Sequence, residues 1–181
     1  MAGFILHTGD FSNWNVYRKA VVICDVTEMF VRRAFVSPNR TIDQMRQAAR
    51  SCKQNIVEGV SDGATSSKTC LKLLGIAKGS ARELLEDYKD YLRQNGHEIW
   101  KEDDSKLAST REYCRTHDNP QDFVAKCEQR SNATVANIMV TQLHQMDFLL
   151  RVVIKKVEED FLANGGISER MMAERKKKRG Y

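Results

Sequence analysis

The chain has 181 residues, of which 41% are hydrophobic and 29% charged, with only 2 prolines and 10 glycines. This length fits one domain with a sizeable core, and the scarcity of proline and glycine favours long helices over a sheet of many strands. No apolar run approaches the roughly 20 residues of a membrane span, and the first residues lack the basic start and long apolar core of a signal peptide. Five cysteines without a C-x-x-C pair suit a reducing cytoplasm. We therefore predict a soluble, cytoplasmic, all-α protein with a single domain over residues 1–181.

The net charge of +5 is unevenly distributed along the chain. Residues 167–181 contain six basic and two acidic residues, which leaves the remaining body near +1. A uniformly basic nucleic-acid binder is therefore excluded, and any such binding must come from local stripes or from the C-terminal tail.

Apolar residues recur at steps of three and four along four segments, which predicts four amphipathic helices. The first begins near Ser12 and ends before a turn that contains Pro38. The second opens on Thr41 and Gln44, a capping-box pattern, and closes at Gly59 as a left-handed C-cap. Its buried face is predicted to carry Met45, Ala49, Cys52 and Ile56.

The third helix follows a polar break over residues 61–67, in which Thr65 or Ser66 can cap it. It ends at residues 95–96, an Asn-Gly pair, and it forms a helical hairpin with the second helix. The polar stretch that follows is interpreted as a connection with one short helix between about Ser105 and Arg115.

The fourth helix is predicted from near Asn132 to Leu162 and stops at the glycines of residues 165–166. Ser168 then caps a short basic helix. The expected architecture is an up-down four-helix bundle over residues 12–164, an extra short helix before the fourth helix, and a basic tail over residues 165–181.

Several short segments carry a resemblance to a known family. They include Q-M-R-Q-A-A-R-S (44–51), N-I-V-E-G (55–59) and I-A-K-G-S (76–80), and further matches lie at residues 83–84, 87–88, 91–93, 128–131, 143–145 and 161–166. In these the chain resembles the four-helix-bundle family that is named for proteins encoded in intervening sequences of bacterial 23S ribosomal RNA. That family includes the accessory variability protein of diversity-generating retroelements. The resemblance implies a bacterial protein of a longer subgroup with a C-terminal suffix, a homopentameric ring, and a protein partner such as a reverse transcriptase.

A cationic stripe runs along the second helix, rotated roughly 100° from its apolar face. It comprises Arg46, Arg50 and Lys53, with Arg40 upstream and Lys68 and Lys72 in the hairpin. Phosphate binding needs several cations on one face, and helical spacing supplies them. The alternative is an ordinary solvated helix face. No aromatic residues interleave with the stripe, so base-specific recognition is not indicated.

The tail offers a second and less specific set of cations, namely Arg175, Lys176, Lys177, Lys178 and Arg179. Such a segment either folds on binding an anion or only solubilises the end of the chain.

Two further groups of residues have predicted structural roles. Asn55, Glu58 and Arg82 are expected to form a polar network that fixes helix register, with the Glu58 carboxylate pairing with an arginine such as Arg82. Gly75, Gly79 and Ser80 make the third helix thin, and the loss of helix propensity at glycine is expected to be offset by close helix approach. That approach lies either within the bundle or across a subunit interface.

No motif for phosphate-loop, dinucleotide, serine-hydrolase or zinc-protease chemistry occurs. His144 and Asp147 could form a base and its orienting carboxylate, but they lack a nucleophile, and Cys114, His117 and Cys127 do not match zinc spacing. We therefore predict no catalytic residue, cofactor or metal site.

The sequence predicts a non-enzymatic oligomeric accessory protein that binds the phosphates of RNA or DNA, possibly with a protein partner. The alternative is an adaptor ring that docks proteins and does not bind nucleic acid. The two differ in one observable feature, because the adaptor function is favoured if Arg46, Arg50 and Lys53 are engaged in ion pairs with adjacent helices.

Overall fold

The computed structural model describes residues 15–36, 39–63, 66–166, 171–172, 175–176 and 178–179. Within these ranges the protein is all-helical and contains no strand. Its six helices are α1 (Asn15–Ala34), α2 (Arg40–Gly63), α3 (Ser67–Gln94), α4 (Ser105–Thr116), α5 (Pro120–Glu128) and α6 (Asn132–Asn164).

The four long helices, α1, α2, α3 and α6, contact one another in a closed order. α1 packs against α2 and α6, and α3 packs against α2 and α6. α1 and α2 are antiparallel, because Cys24 lies against Ala49 while Glu28 pairs with Arg46. The short helix α4 packs on α6 and α5 packs on α1, so both lie outside this set of four.

A single apolar core lies between these helices, and it follows the spacing of the sequence. The predicted buried face of α2, Met45, Ala49, Cys52 and Ile56, is confirmed, since each of these residues is at most 3% exposed. At the centre the phenol of Tyr88 donates a hydrogen bond to the Thr27 hydroxyl at 3.0 Å, which satisfies a buried polar group.

The ends of α3 and α6 agree with the sequence analysis. Ser66 is the N-cap of α3, and its hydroxyl accepts from the Thr69 amide. Gly96, just beyond α3, and Gly165, the C-cap of α6, have φ of 69° and 67°, a conformation that glycine adopts without steric cost. The predicted caps at Ser12, Thr65 and Ser168, like the turn at Pro38, lie outside the described residues.

Both predicted ends of α2 were wrong. The helix begins at Arg40, and the Asn39 side chain, rather than Thr41, accepts the first free amide, that of Thr41, at 2.6 Å. The helix then continues through Gly59 to Gly63. Gly59 serves a different purpose, because a Cβ there would lie 3.3 Å from Leu73 Cβ on α3. The glycine therefore permits close packing of α2 against α3.

The connection between α3 and α6 contains two helices where the sequence analysis predicted one. α4 agrees closely with the predicted short helix. α5 was missed, although Asn119 and Pro120 form a helix start, in which the Asn119 side chain accepts from the Asp122 amide at 3.0 Å. α5 buries Phe123 and Cys127.

Candidate nucleic-acid interface

Arg46, the first residue of the predicted stripe, is engaged in an ion pair between helices. Its guanidinium donates to Glu28 on α1 through Nε at 2.7 Å and Nη2 at 2.9 Å. Arg32 also donates to Glu28. Hydrogen bonds from Arg46 lower the pKa of Glu28, and the same contact raises the pKa of Arg46. Bidentate pairing orients Arg46 toward α1, so this cation is already compensated within the chain.

Arg50 and Lys53 differ from Arg46, because neither forms an ion pair with another described residue. Arg50 is exposed and Lys53 is half-buried. Both lie near Cys24 on α1, where burial raises the pKa of the thiol to about 11 against the opposing effect of these two charges. The α1-facing edge of α2 therefore presents two uncompensated cations, and we call this pair the α2 surface.

Arg40 does not belong to the α2 surface. It lines a wide depression between α2 and α3 with a volume of about 1000 Å³, together with the carboxylates of Asp43, Glu83, Glu86 and Asp87. Burial, with the nearby charges of Asp90 and Glu83, raises the pKa of Asp87 to about 6. This side of α2 is acidic and would repel phosphate.

Lys68 and Lys72 are exposed on the first turns of α3 and form no ion pair within the described part of the chain. Their helical spacing places them on the face of α3 that continues through Gly75, Ile76 and Gly79, all of which are exposed. A Cβ built on Gly75 or Gly79 meets nothing within 4 Å. Close helix approach within the chain therefore does not explain these two glycines.

The predicted polar network forms with different members. Asn55 donates to the Ser51 carbonyl at 2.8 Å and to its hydroxyl at 3.2 Å, and the buried Ser80 hydroxyl donates to Ser51 Oγ at 2.9 Å. Glu58 is exposed and has no ion-pair partner among the described residues. Arg82 instead pairs with Asp147 on α6 at 2.7 Å. The expected pairing of Glu58 with Arg82 is thus replaced by separate α2–α3 and α3–α6 contacts.

Four tail cations, Arg175, Lys176, Lys178 and Arg179, are helical and exposed. Lys177 lies outside the described residues. The tail remains a predicted second source of positive charge.

The residues considered for catalysis or metal binding are committed elsewhere. The Asp147 carboxylate accepts from Arg82 and pairs with Arg151, so it does not orient His144. Burial raises the pKa of the Cys114 thiol to about 12 and that of Cys127 to about 11, which keeps both protonated at neutral pH. In the part of the chain that the structure covers, no group of three or more potential ligands is placed to hold a metal ion.

None of the described helices is sufficiently long and apolar to cross a membrane.

The sequence analysis did not single out the cations of α4 and α5. Lys106, Lys126 and Arg130 lie up to 24 positions apart, and only the packing of α5, which was not predicted, brings them to one groove. The clearest available signal was their position in an otherwise polar connection that also contains Trp100 and Tyr113.

Comparison of the chain with protein-family models, with curated proteins and with solved structures gave no match. The family resemblance described above therefore remains a prediction.

Proposed function

We propose that this protein is a non-enzymatic, oligomeric accessory protein that binds the phosphates of a nucleic acid. In this proposal the four long helices form an up-down bundle, and the α2 surface supplies the phosphate contacts. The observation that carries the proposal is the presence of Arg50 and Lys53 side by side on one helix, without carboxylate partners among the described residues. Lys68 and Lys72 are further exposed cations in the same helical hairpin.

Assembly into a ring is the second part of the proposal. Two cations in one copy make a weak phosphate site, whereas repetition around a ring multiplies the contacts. The exposed face of α3 supports such a contact between copies, because Gly75 and Gly79 leave it thin and Ile76 is 43% exposed there. Following the family resemblance, we propose a homopentamer in the bacterial cytoplasm that acts beside a protein partner such as a reverse transcriptase.

The adaptor ring remains the second candidate, and one specific observation favours it. Arg46 is held by Glu28 on the adjacent helix, which is the outcome that the adaptor function predicts for the stripe. Since Arg50 and Lys53 are not held in this way, we favour nucleic-acid binding.

The proposal is tested by fluorescence anisotropy of labelled single-stranded RNA and duplex DNA across a salt series. We expect affinity to fall steeply with salt. Arg50→Gln with Lys53→Gln should flatten the slope by about 0.7 per lost contact in each copy that touches a single strand. The matched control is Arg93→Gln with Lys155→Gln, which removes the same charge from exposed positions on α3 and α6.

Three results would decide against the proposal or limit it. Absence of binding at low salt would reject the phosphate-binding function and leave the adaptor ring. If only a chain that ends at Glu174 loses binding, the tail accounts for the effect and the α2 surface is excluded. A monomer by light scattering at working concentration would reject the ring.

A further inference from the structure

A groove between α4, α5 and the start of α6 has the strongest uncompensated positive charge that we find in a concave part of the described structure. Its volume is about 430 Å³, which falls in the range of small-ligand sites. Lys106 from α4, Lys126 from α5 and Arg130 from the α5–α6 turn line it. We call it the cationic groove.

No carboxylate lines the cationic groove, and none of its three cations forms an ion pair within the described residues. The neighbouring groove on the other side of α4 has the same volume but is compensated. There Arg111 makes two hydrogen bonds to Glu102, and Arg115 pairs with Glu112. The contrast indicates that the cationic groove, unlike its neighbour, is suited to an anionic ligand.

Lys126 is held in position by an aromatic ring. Its Nζ lies 3.3 Å from the centre of the Tyr113 ring, and the His117 ring stacks on Tyr113 at 4.0 Å. The two groups must occupy opposite faces of the ring, because on one face they would overlap. A cation–π contact fixes the ammonium group and leaves its N–H groups free to donate. The hydroxyls of Ser109, Thr110 and Thr134 also line the groove and can donate to an oxyanion.

Trp100 supplies a flat apolar surface beside these cations. Its backbone amide donates to Asn137 Oδ1 on α6 at 2.9 Å, which anchors the residue. The side chain lines the groove, is only half-buried and has no ring partner among the described residues. Because every nucleobase has a face that stacks on an indole, an uncovered tryptophan beside cations is typical of sites for unpaired nucleotides.

We propose that the cationic groove binds single-stranded nucleic acid, with phosphates at Lys106, Lys126 and Arg130 and an unpaired base against Trp100. An acidic peptide would satisfy the cations but would leave the indole face without a flat partner. A duplex keeps its bases stacked and cannot offer one to Trp100. The inference rests on the proposed function only for the class of ligand, since the groove and the α2 surface share no residue.

The test is fluorescence anisotropy of labelled mixed-sequence single-stranded RNA across a salt series, with two variants that give different readouts. Lys106→Gln, Lys126→Gln and Arg130→Gln together should lower the salt slope by about 2, because each phosphate contact on a single strand contributes about 0.7. Trp100→Leu should weaken binding about tenfold at an unchanged slope, because stacking does not release counterions. The wild type should also lose tryptophan fluorescence on binding, and Trp100→Leu should not.

The matched control for charge is Arg93→Gln with Arg151→Gln and Lys155→Gln, three exposed cations that do not line the groove. Circular dichroism and thermal melting check that each variant folds. A variant that fails to fold is replaced by the single substitution Arg130→Gln, an exposed position, with an expected slope change of about 0.7.

Unchanged affinity and slope in both groove variants would overturn the inference. If the groove variants bind like wild type while Arg50→Gln with Lys53→Gln does not, the α2 surface stands and the groove is rejected. The reverse pattern supports the groove and rejects the α2 surface. Binding of a labelled poly-glutamate peptide without binding of RNA would overturn both in favour of a protein partner.

Discussion

The ammonium group of Lys19 on α1 lies 2.9 Å from Gln142 Oε1 on α6, in a position where Lys19 is only 3% exposed. Its two remaining donors reach the Cys114 carbonyl at 2.6 Å and Gln145 Oε1 at 3.1 Å. Burial lowers the pKa of Lys19. Three donors meet three acceptors, so a single buried cation ties α1 and α6 to the end of α4.

We expect Lys19→Met to lower the free energy of unfolding by about 2–4 kcal/mol, because it leaves the acceptors of Cys114 and Gln142 buried without a donor. The measurement is urea unfolding followed by circular dichroism. Hydrogen exchange should show the largest loss of protection in α4. Arg18→Gln is the control, since the ion pair of Arg18 with Asp118 is partly exposed and should change stability by less than about 1 kcal/mol. Equal effects of the two substitutions would contradict the role assigned to Lys19.

Asp87 predicts a pH dependence of stability. Its pKa is about 6 in the fold against 3.8 for the ordinary side chain, so between these values the folded protein holds a proton that the unfolded chain has released. Stability should therefore fall as pH rises through this window, and the cost should persist above it. Glu83 and Asp90 raise this pKa from the same helix, and Arg40 lines the same depression from α2.

Asp87→Asn should raise the free energy of unfolding at pH 7 by about 1 kcal/mol, after allowance for the partial exposure of the carboxylate. It should also flatten the pH profile of the melting temperature between about pH 4 and 6. Asp90→Asn is the control, because Asp90 is exposed and pairs with Arg93. An unchanged profile in Asp87→Asn would show that the carboxylate is better solvated than its surroundings indicate.

Gly59 and Gly75 predict opposite effects for one substitution. Gly59→Ala places a methyl group 3.3 Å from Leu73 Cβ and 3.5 Å from the Cys70 carbonyl, atoms that move only with the α3 backbone. We expect a net loss of about 1 kcal/mol, since overpacking outweighs the gain in helix propensity. Gly75→Ala meets no atom within 4 Å and should gain about 0.5–1 kcal/mol. Thermal melting of both variants gives the comparison, and a gain in both would mean that α2 and α3 can separate without cost.

The parts of the fold that the sequence predicted are those that depend on local patterns. The spacing of Met45, Ala49, Cys52 and Ile56 identified the buried face of α2, and Ser66 identified the start of α3, because a period and a cap are read from neighbouring residues. Gly59 was assigned as a cap because it precedes a polar break. A glycine that ends a helix and one that lets two helices touch look the same in one sequence.

The candidate sites depend on contacts between distant residues, and there the sequence analysis was less successful. Arg46, Arg50 and Lys53 share one helical rhythm, yet only Arg46 meets a carboxylate, which comes from Glu28 on another helix. Arg40 belongs to the same basic segment but turns toward the acids of α3. No pattern in α2 alone distinguishes these environments.

The distribution of thiols has a practical consequence. Cys24, Cys52, Cys70, Cys114 and Cys127 occupy α1 to α5 in turn, all are free, and four of them are buried. A thiol reacts through its thiolate, and burial suppresses that form. Mass spectrometry of alkylation in dilute denaturant would therefore time the opening of five helices separately, with the native cysteines as the probes. α6, which lacks a cysteine, would serve as the unlabelled reference.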